Sequence, residues 1–168
     1  MSEIDDIQAS LASFTRDFDQ GASECFAELR RSSFFDPIPS EWLMQIAEYA
    51  KIKSYAAGES ITKEGANLSS FYVMLFGTTS VYVHDKIVGT IVGGECIGEG
   101  TFFANANILR TATVMADEAV SVAEIDQEGI AALLADDKLM AFMNKALLIA
   151  LFKKLQGANR RILDLTDE

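Results

Sequence analysis

The sequence predicts a mainly β domain, a sandwich or jelly-roll barrel, with helices at both ends. Two observations carry this. The middle of the chain, from about Lys51 to Ile125, breaks into seven short apolar or alternating runs separated by glycines, while the residues on either side repeat their apolar positions every three or four. The composition agrees, since 49% apolar against 23% charged residues and two prolines in 168 describe a packed chain rather than a disordered one. That length suits one domain with extensions.

The elements follow in order. Ile4, Ile7, Leu11, Phe14 and Phe18 form a helical stripe, with Asp5 and Asp6 near its start favouring the positive end of the helix dipole. Gly21 is expected to interrupt this helix, and Ala22, Cys25, Phe26 and Leu29 to restart a short one. Asp36-Pro37-Ile38-Pro39-Ser40 reads as a turn, with Ser40 capping a helix from Glu41 to about Ala50. Strands are expected at Lys51–Tyr55, Ser60–Lys63, Phe71–Phe76, Thr78–His84, Ile87–Val92, Ala112–Ala116 and Ser121–Ile125. Phe71–Phe76 has no polar face, which suits a central strand covered on both sides. His84-Asp85 is placed at a hairpin turn. Helical spacing returns from Gln127 to about Ala135, and again from Asp137 toward Leu165. In the second segment Leu148, Leu151, Leu155, Ala158, Ile162 and Leu165 form a short heptad seam. Gly157 lies inside it and costs about 1 kcal/mol relative to alanine.

Charge and cysteine usage exclude several functions. Fourteen Lys and Arg against 25 Asp and Glu give −11 at pH 7, a poor match to DNA or an anionic membrane face. The longest apolar run, Ala146 to Phe152, is too short to cross a bilayer, and the acidic N-terminus has no secretion signal. Cys25 and Cys96 are too few for a disulfide framework or a thiolate zinc site, so a cytoplasmic location is expected. His84 has no second histidine to form a ligand set, and no nucleophile is paired with a base. The chain is therefore expected not to be an enzyme and to need no metal or cofactor.

One stretch departs from alternation. Gly93-Gly94-Glu95-Cys96-Ile97-Gly98-Glu99-Gly100-Thr101-Phe102 ends a strand in glycines, a short helical segment follows, and Arg110-Thr111-Ala112-Thr113 opens the next strand. Gly98, Glu99, Gly100 and Thr101 can present successive N–H groups at a helix start, an anion-binding arrangement. Arg110 can add the bidentate fork that phosphate favours. An ionised Glu99 only accepts hydrogen bonds, so it needs a hydroxyl rather than the phosphate. A nucleotide sugar offers both groups.

With Gly58-Glu59, Gly65, Phe71-Tyr72-Val73 and Gly77 preceding Gly98-Glu99 and Arg110-Thr111-Ala112-Thr113, the chain resembles the cyclic nucleotide-binding domain family from about Phe34 to Leu155. The resemblance implies a double-stranded β-helix (jelly-roll or β-roll) with N-terminal helices, a short phosphate-cassette helix and a long C-terminal helix. It divides the chain into a helical extension at 1–33, the binding domain at 34–155 and a tail at 156–168. It further implies that Glu99 binds the ribose 2′-hydroxyl and Arg110 the exocyclic phosphate oxygens. The backbone N–H groups of Thr101 and Ala112 would complete the cradle, flanked by Gly98 and Gly100, and Thr111 would lie against phosphate or base. Leu148, Leu151, Phe152 and Leu155 would form a lid over the base. The ligand is then cAMP or cGMP, and the implied function is a sensor that moves its C-terminal helix.

Further expectations follow from that reading. A homodimer through the C-terminal helix is expected, with output to a downstream protein or domain. Too little chain follows Ile125 for a helix-turn-helix, so DNA is not an expected partner, nor is a membrane. The competing readings are a nucleotide-free docking module and the regulatory part of a longer signalling enzyme. Two departures from the family bear on the first: the interval from Glu99 to Arg110 is longer than usual, and Gly100-Thr101-Phe102 replaces a Leu-Ala-Leu type of sequence. Leu109 also stands where many relatives have proline. Such a cassette should bind more weakly, or order itself only on binding.

Overall fold

The computed structural model describes residues 20–103 and 108–166. The stripe Ile4–Phe18 lies outside them. Residues 20–30 form a first helix (α1), and Gly21 lies within it, which corrects the expected interruption. A 3₁₀ turn at Ser33–Phe35 follows, then α2 (Ser40–Tyr49). Pro39, not Ser40, occupies the cap position, and no side-chain cap bond forms, so Ser40 is the first helical residue.

Eight strands come next: β1 (Ala50–Tyr55), β2 (Ser60–Thr62), β3 (Phe71–Phe76), β4 (Thr78–Val83), β5 (Lys86–Val92), β6 (Cys96–Ile97), β7 (Thr113–Ala116) and β8 (Val120–Ile125). All seven expected strands are present. The additional one, β6, has two residues, too few to leave a periodic signature. The strands form two four-stranded antiparallel sheets, ordered β1-β8-β3-β6 and β2-β7-β4-β5. Between β4 and β5, His84 and Asp85 both have positive φ, 47° and 62°, as a two-residue hairpin turn with the strands' own twist requires.

The apolar pattern of β3 explains the layering. Tyr72 and Met74 point between the sheets, where they meet Ile61, Ile91, Ile97, Val114 and Val122. Phe71 and Val73 point the other way, into a second core built with the helices, including Leu29, Leu43, Ile46, Leu133, Met143 and Leu147. Strand side chains alternate faces, so a strand buried on both must be apolar throughout. The run ends where the cover ends, since Phe76 is exposed.

After β8 come α3 (Gln127–Leu134) and α4 (Asp137–Thr166). Asp126 caps α3 by accepting from the Gly129 N–H at 3.0 Å, and its carboxylate also pairs with Lys51 at 3.1 Å. The Gly129 N–H and then Lys51 hold its pKa below the ordinary carboxylate value. Asp126→Ala is therefore expected to cost about 1 kcal/mol, read from the urea midpoint at pH 7. Because the folded pKa is depressed, this contribution is present above the unfolded pKa and is lost as pH falls through the folded value. The gap between wild type and variant should close in acid.

The first half of α4 buries Leu139, Met143, Ala146 and Leu147. From Leu148 onward its apolar residues are largely exposed, including Leu155, Ile162 and Leu165. Among the described residues no helix is long and apolar enough to cross a membrane.

Candidate functional site

The polypeptide leaves β6 through Gly98, whose backbone is left-handed (φ 82°, ψ 28°), and enters a 3₁₀ turn at Glu99–Phe102. Phe102 anchors this turn by packing edge-on against Phe71, ring centroids 5.0 Å apart. The returning segment is fixed by a ladder to residues 65–68. Leu68 N–H donates to the Ile108 carbonyl (3.0 Å), Arg110 N–H to the Ala66 carbonyl (2.7 Å) and Gly65 N–H to the Arg110 carbonyl (2.9 Å). The backbone on both sides of the site is thus held by the roll before any side chain contributes.

Arg110 points inward and is 8% exposed. Its Nη2 donates to the Ser70 carbonyl at 2.7 Å, and the guanidinium lies 5.4 Å from the centre of the Tyr72 ring. Burial lowers its pKa, with Tyr72, Glu124 and Glu99 acting in the opposite direction. Its Nη1 is buried with no hydrogen-bond partner among the described residues. An unpaired buried donor on a charged group is costly, and an anionic acceptor would remove that cost. Beyond the Tyr72 ring, burial works against the Glu124 carboxylate, but hydrogen bonding to Lys53, Ser70 and Tyr72 outweighs it and keeps its pKa below the ordinary value.

A cleft of about 300 Å³ opens beside this guanidinium. Val81, Ile91, Ile97 and Val114 contribute apolar lining, and Gly98, Glu99, Gly100, Arg110, Thr111 and Ala112 also line it. These are six of the seven residues singled out in the cassette. The seventh, Thr101, does not line the cleft: its N–H and its hydroxyl both donate to the Gly98 carbonyl, at 3.0 and 2.8 Å. The Ala112 carbonyl accepts from the Thr62 hydroxyl at 3.4 Å.

Of the four lid residues, Leu148, Phe152 and Leu155 are exposed and Leu151 is half-buried; together with Ile149 they form an apolar surface of α4, and none of them lines the cleft. The α4 residue that does reach the cleft is Lys154, whose Nζ lies 2.8 Å from Glu99 Oε1. Sequence reasoning passed over it because one lysine in Lys153-Lys154 reads as a solvated helix face.

Apolar side chains beside a guanidinium with one unpaired nitrogen among the described residues, and beside a carboxylate, suit a ligand with a flat ring, an anion and a hydroxyl. A family model, that of the cyclic nucleotide-binding domain, matches residues 52–137. The chain belongs to that family. A cGMP-dependent protein kinase from Plasmodium berghei (strain Anka) is 26% identical over 112 residues, which cover 67% of this chain but 13% of the kinase. Among solved structures, a cyclic nucleotide-binding domain from Methylobacillus flagellatus KT superposes with a TM-score of 0.71 at 19% identity, covering 87% of this chain and 84% of that one. The regulatory subunit of a cAMP-independent protein kinase A from Trypanosoma brucei gives 0.66 at 19% identity, covering 88% and 50%. The β-roll with its flanking helices is therefore the fold of a cyclic nucleotide-binding domain.

Proposed function

We propose that the chain binds a 3′,5′-cyclic mononucleotide, cAMP or cGMP, in the cleft between Glu99 and Arg110 and reports its occupancy through α4. The observation that carries this reading is a buried Arg110 that lines the cleft and whose Nη1 has no hydrogen-bond partner among the described residues. In the proposal the cyclic phosphate accepts from that group, Glu99 accepts from the ribose 2′-hydroxyl, and the base lies along Val81, Ile91 and Val114. The match of residues 52–137 to the cyclic nucleotide-binding domain supports a regulatory rather than catalytic role. Any kinase or other enzyme activity would belong to a larger protein of which this region is a part. A ligand shifts α4 only by its preference for one position, and a hundredfold preference corresponds to about 2.7 kcal/mol.

The exposed Leu148, Leu155, Ile162 and Leu165 support the homodimer through α4 as the output surface. A second reading is a docking module without nucleotide. It is favoured by the Thr101 N–H being committed to Gly98 and by Glu99 already holding Lys154.

Calorimetric titration with cAMP and with cGMP, with light scattering on the same samples, separates the two. Saturable heat from one nucleotide is expected. Absence of heat from both would leave the docking reading, and a monomer mass with and without nucleotide would remove the dimer.

A further inference from the structure

Two cations line the cleft among the described residues, and they come from different elements. Arg110 comes from the roll. Lys154 comes from α4 and pairs with Glu99 at 2.8 Å, the two side chains being 29% and 21% exposed. Seven residues further along, on the same stripe of the helix at 3.6 residues per turn, Arg161 donates to the Val88 carbonyl on β5. The small Gly89 lies directly under that guanidinium, where any Cβ would collide with it. One face of α4 is therefore clasped to the roll at two points, the turn after β6 and the strand β5.

We propose that Lys154 is a ligand-positioning residue: by neutralising and holding Glu99 it lets the cleft accept an anionic nucleotide, and it ties α4 to that event. This rests on the cyclic nucleotide reading of the cleft. The argument is one of charge and of acceptor capacity. A cyclic phosphate carries one negative charge, and in a chain of net charge −11 an uncompensated Glu99 would place a second beside it. Lys154 cancels that charge without occupying the whole carboxylate. It bonds Oε1, while Oε2 remains for a hydroxyl donor, since a carboxylate offers about four acceptor positions. Ligand and Lys154 thus share Glu99 rather than compete for it. Binding should then tighten the α4 clasp, whereas a competing arrangement would open it.

The test is calorimetric titration of the whole chain with cAMP and cGMP, using wild type, Lys154→Met, Lys154→Arg, Glu99→Gln and the Lys154→Met/Glu99→Gln double variant. Lys154→Met should weaken binding about tenfold and Lys154→Arg should stay within about threefold of wild type. In the Glu99→Gln background, where there is no charge left to neutralise, the Lys154→Met penalty should shrink below about threefold. A purely structural lysine would give the same penalty in both backgrounds, and that result overturns the proposal. Tighter binding by Lys154→Met also overturns it, since it would show competition. If wild type binds neither nucleotide, the proposed function fails and this inference with it. If wild type binds and Lys154→Met binds equally well, only this inference fails.

Discussion

Arg110→Ala should weaken cyclic nucleotide binding at least about a hundredfold, the equivalent of about 2.7 kcal/mol, in the calorimetric titration. Hydrogen bonds to a charged group contribute about 1.5–3 kcal/mol each, and Nη1 together with its neighbours can make two to a phosphate. Among the described residues of the cleft there is no substitute. Lys154 is the other cation of the cleft and is engaged with Glu99. Stability should respond much less than binding. The variant loses one bond, to the Ser70 carbonyl, and the stacking on Tyr72, but it also removes a buried charge with an unpaired donor. A melting temperature close to that of wild type with nucleotide affinity lost is the expected pair of results. Unchanged affinity would show that the phosphate goes elsewhere. Collapse of the fold would instead mean that Arg110 is a structural residue that happens to border a cleft.

Which parts of this were readable in the sequence follows from what kind of information each part uses. The doubly buried β3 announces itself by having no polar face, and the hairpin at His84-Asp85 by falling between two alternating runs. Both are local patterns. The order Gly98-Glu99 and then Arg110-Thr111-Ala112 is also local, and six of those seven cassette positions do border the cleft. The predicted positions that lie apart from the cleft in this structure depend on how distant segments meet. Thr101 looked like a free N–H donor, but the 3₁₀ turn closes on Gly98 and uses that donor internally. Leu148, Leu151, Phe152 and Leu155 have the right chemistry for a lid, yet the rotation of α4 about its axis decides which face meets the roll, and the buried Leu139, Met143 and Leu147 fix that rotation with Lys154 inward. No spacing rule within α4 could distinguish those alternatives.

Gly98 is where local backbone and distant side chain meet, and its substitution should have the largest combined effect. At φ 82° an L-residue is strained, and a Cβ there would also collide with Arg110 Nη1 and lie 2.8 Å from the Ser70 carbonyl oxygen. Gly58 provides the control, because it has a similar φ of 86° but open space around the Cβ position. Gly58→Ala should cost about 1 kcal/mol from strain alone and leave nucleotide affinity unchanged. Gly98→Ala should cost about 2–3 kcal/mol in the urea midpoint, since backbone strain and collision add. It should also weaken nucleotide binding about tenfold or more, because relieving the collision means moving the guanidinium from its place beside Ser70 at the edge of the cleft. Equal stability losses at the two glycines would show that the Gly98 contact relaxes freely. Wild-type affinity in Gly98→Ala would mean that the guanidinium finds the phosphate without being held in place, and the close approach of Gly98 to Arg110 would then have no part in binding.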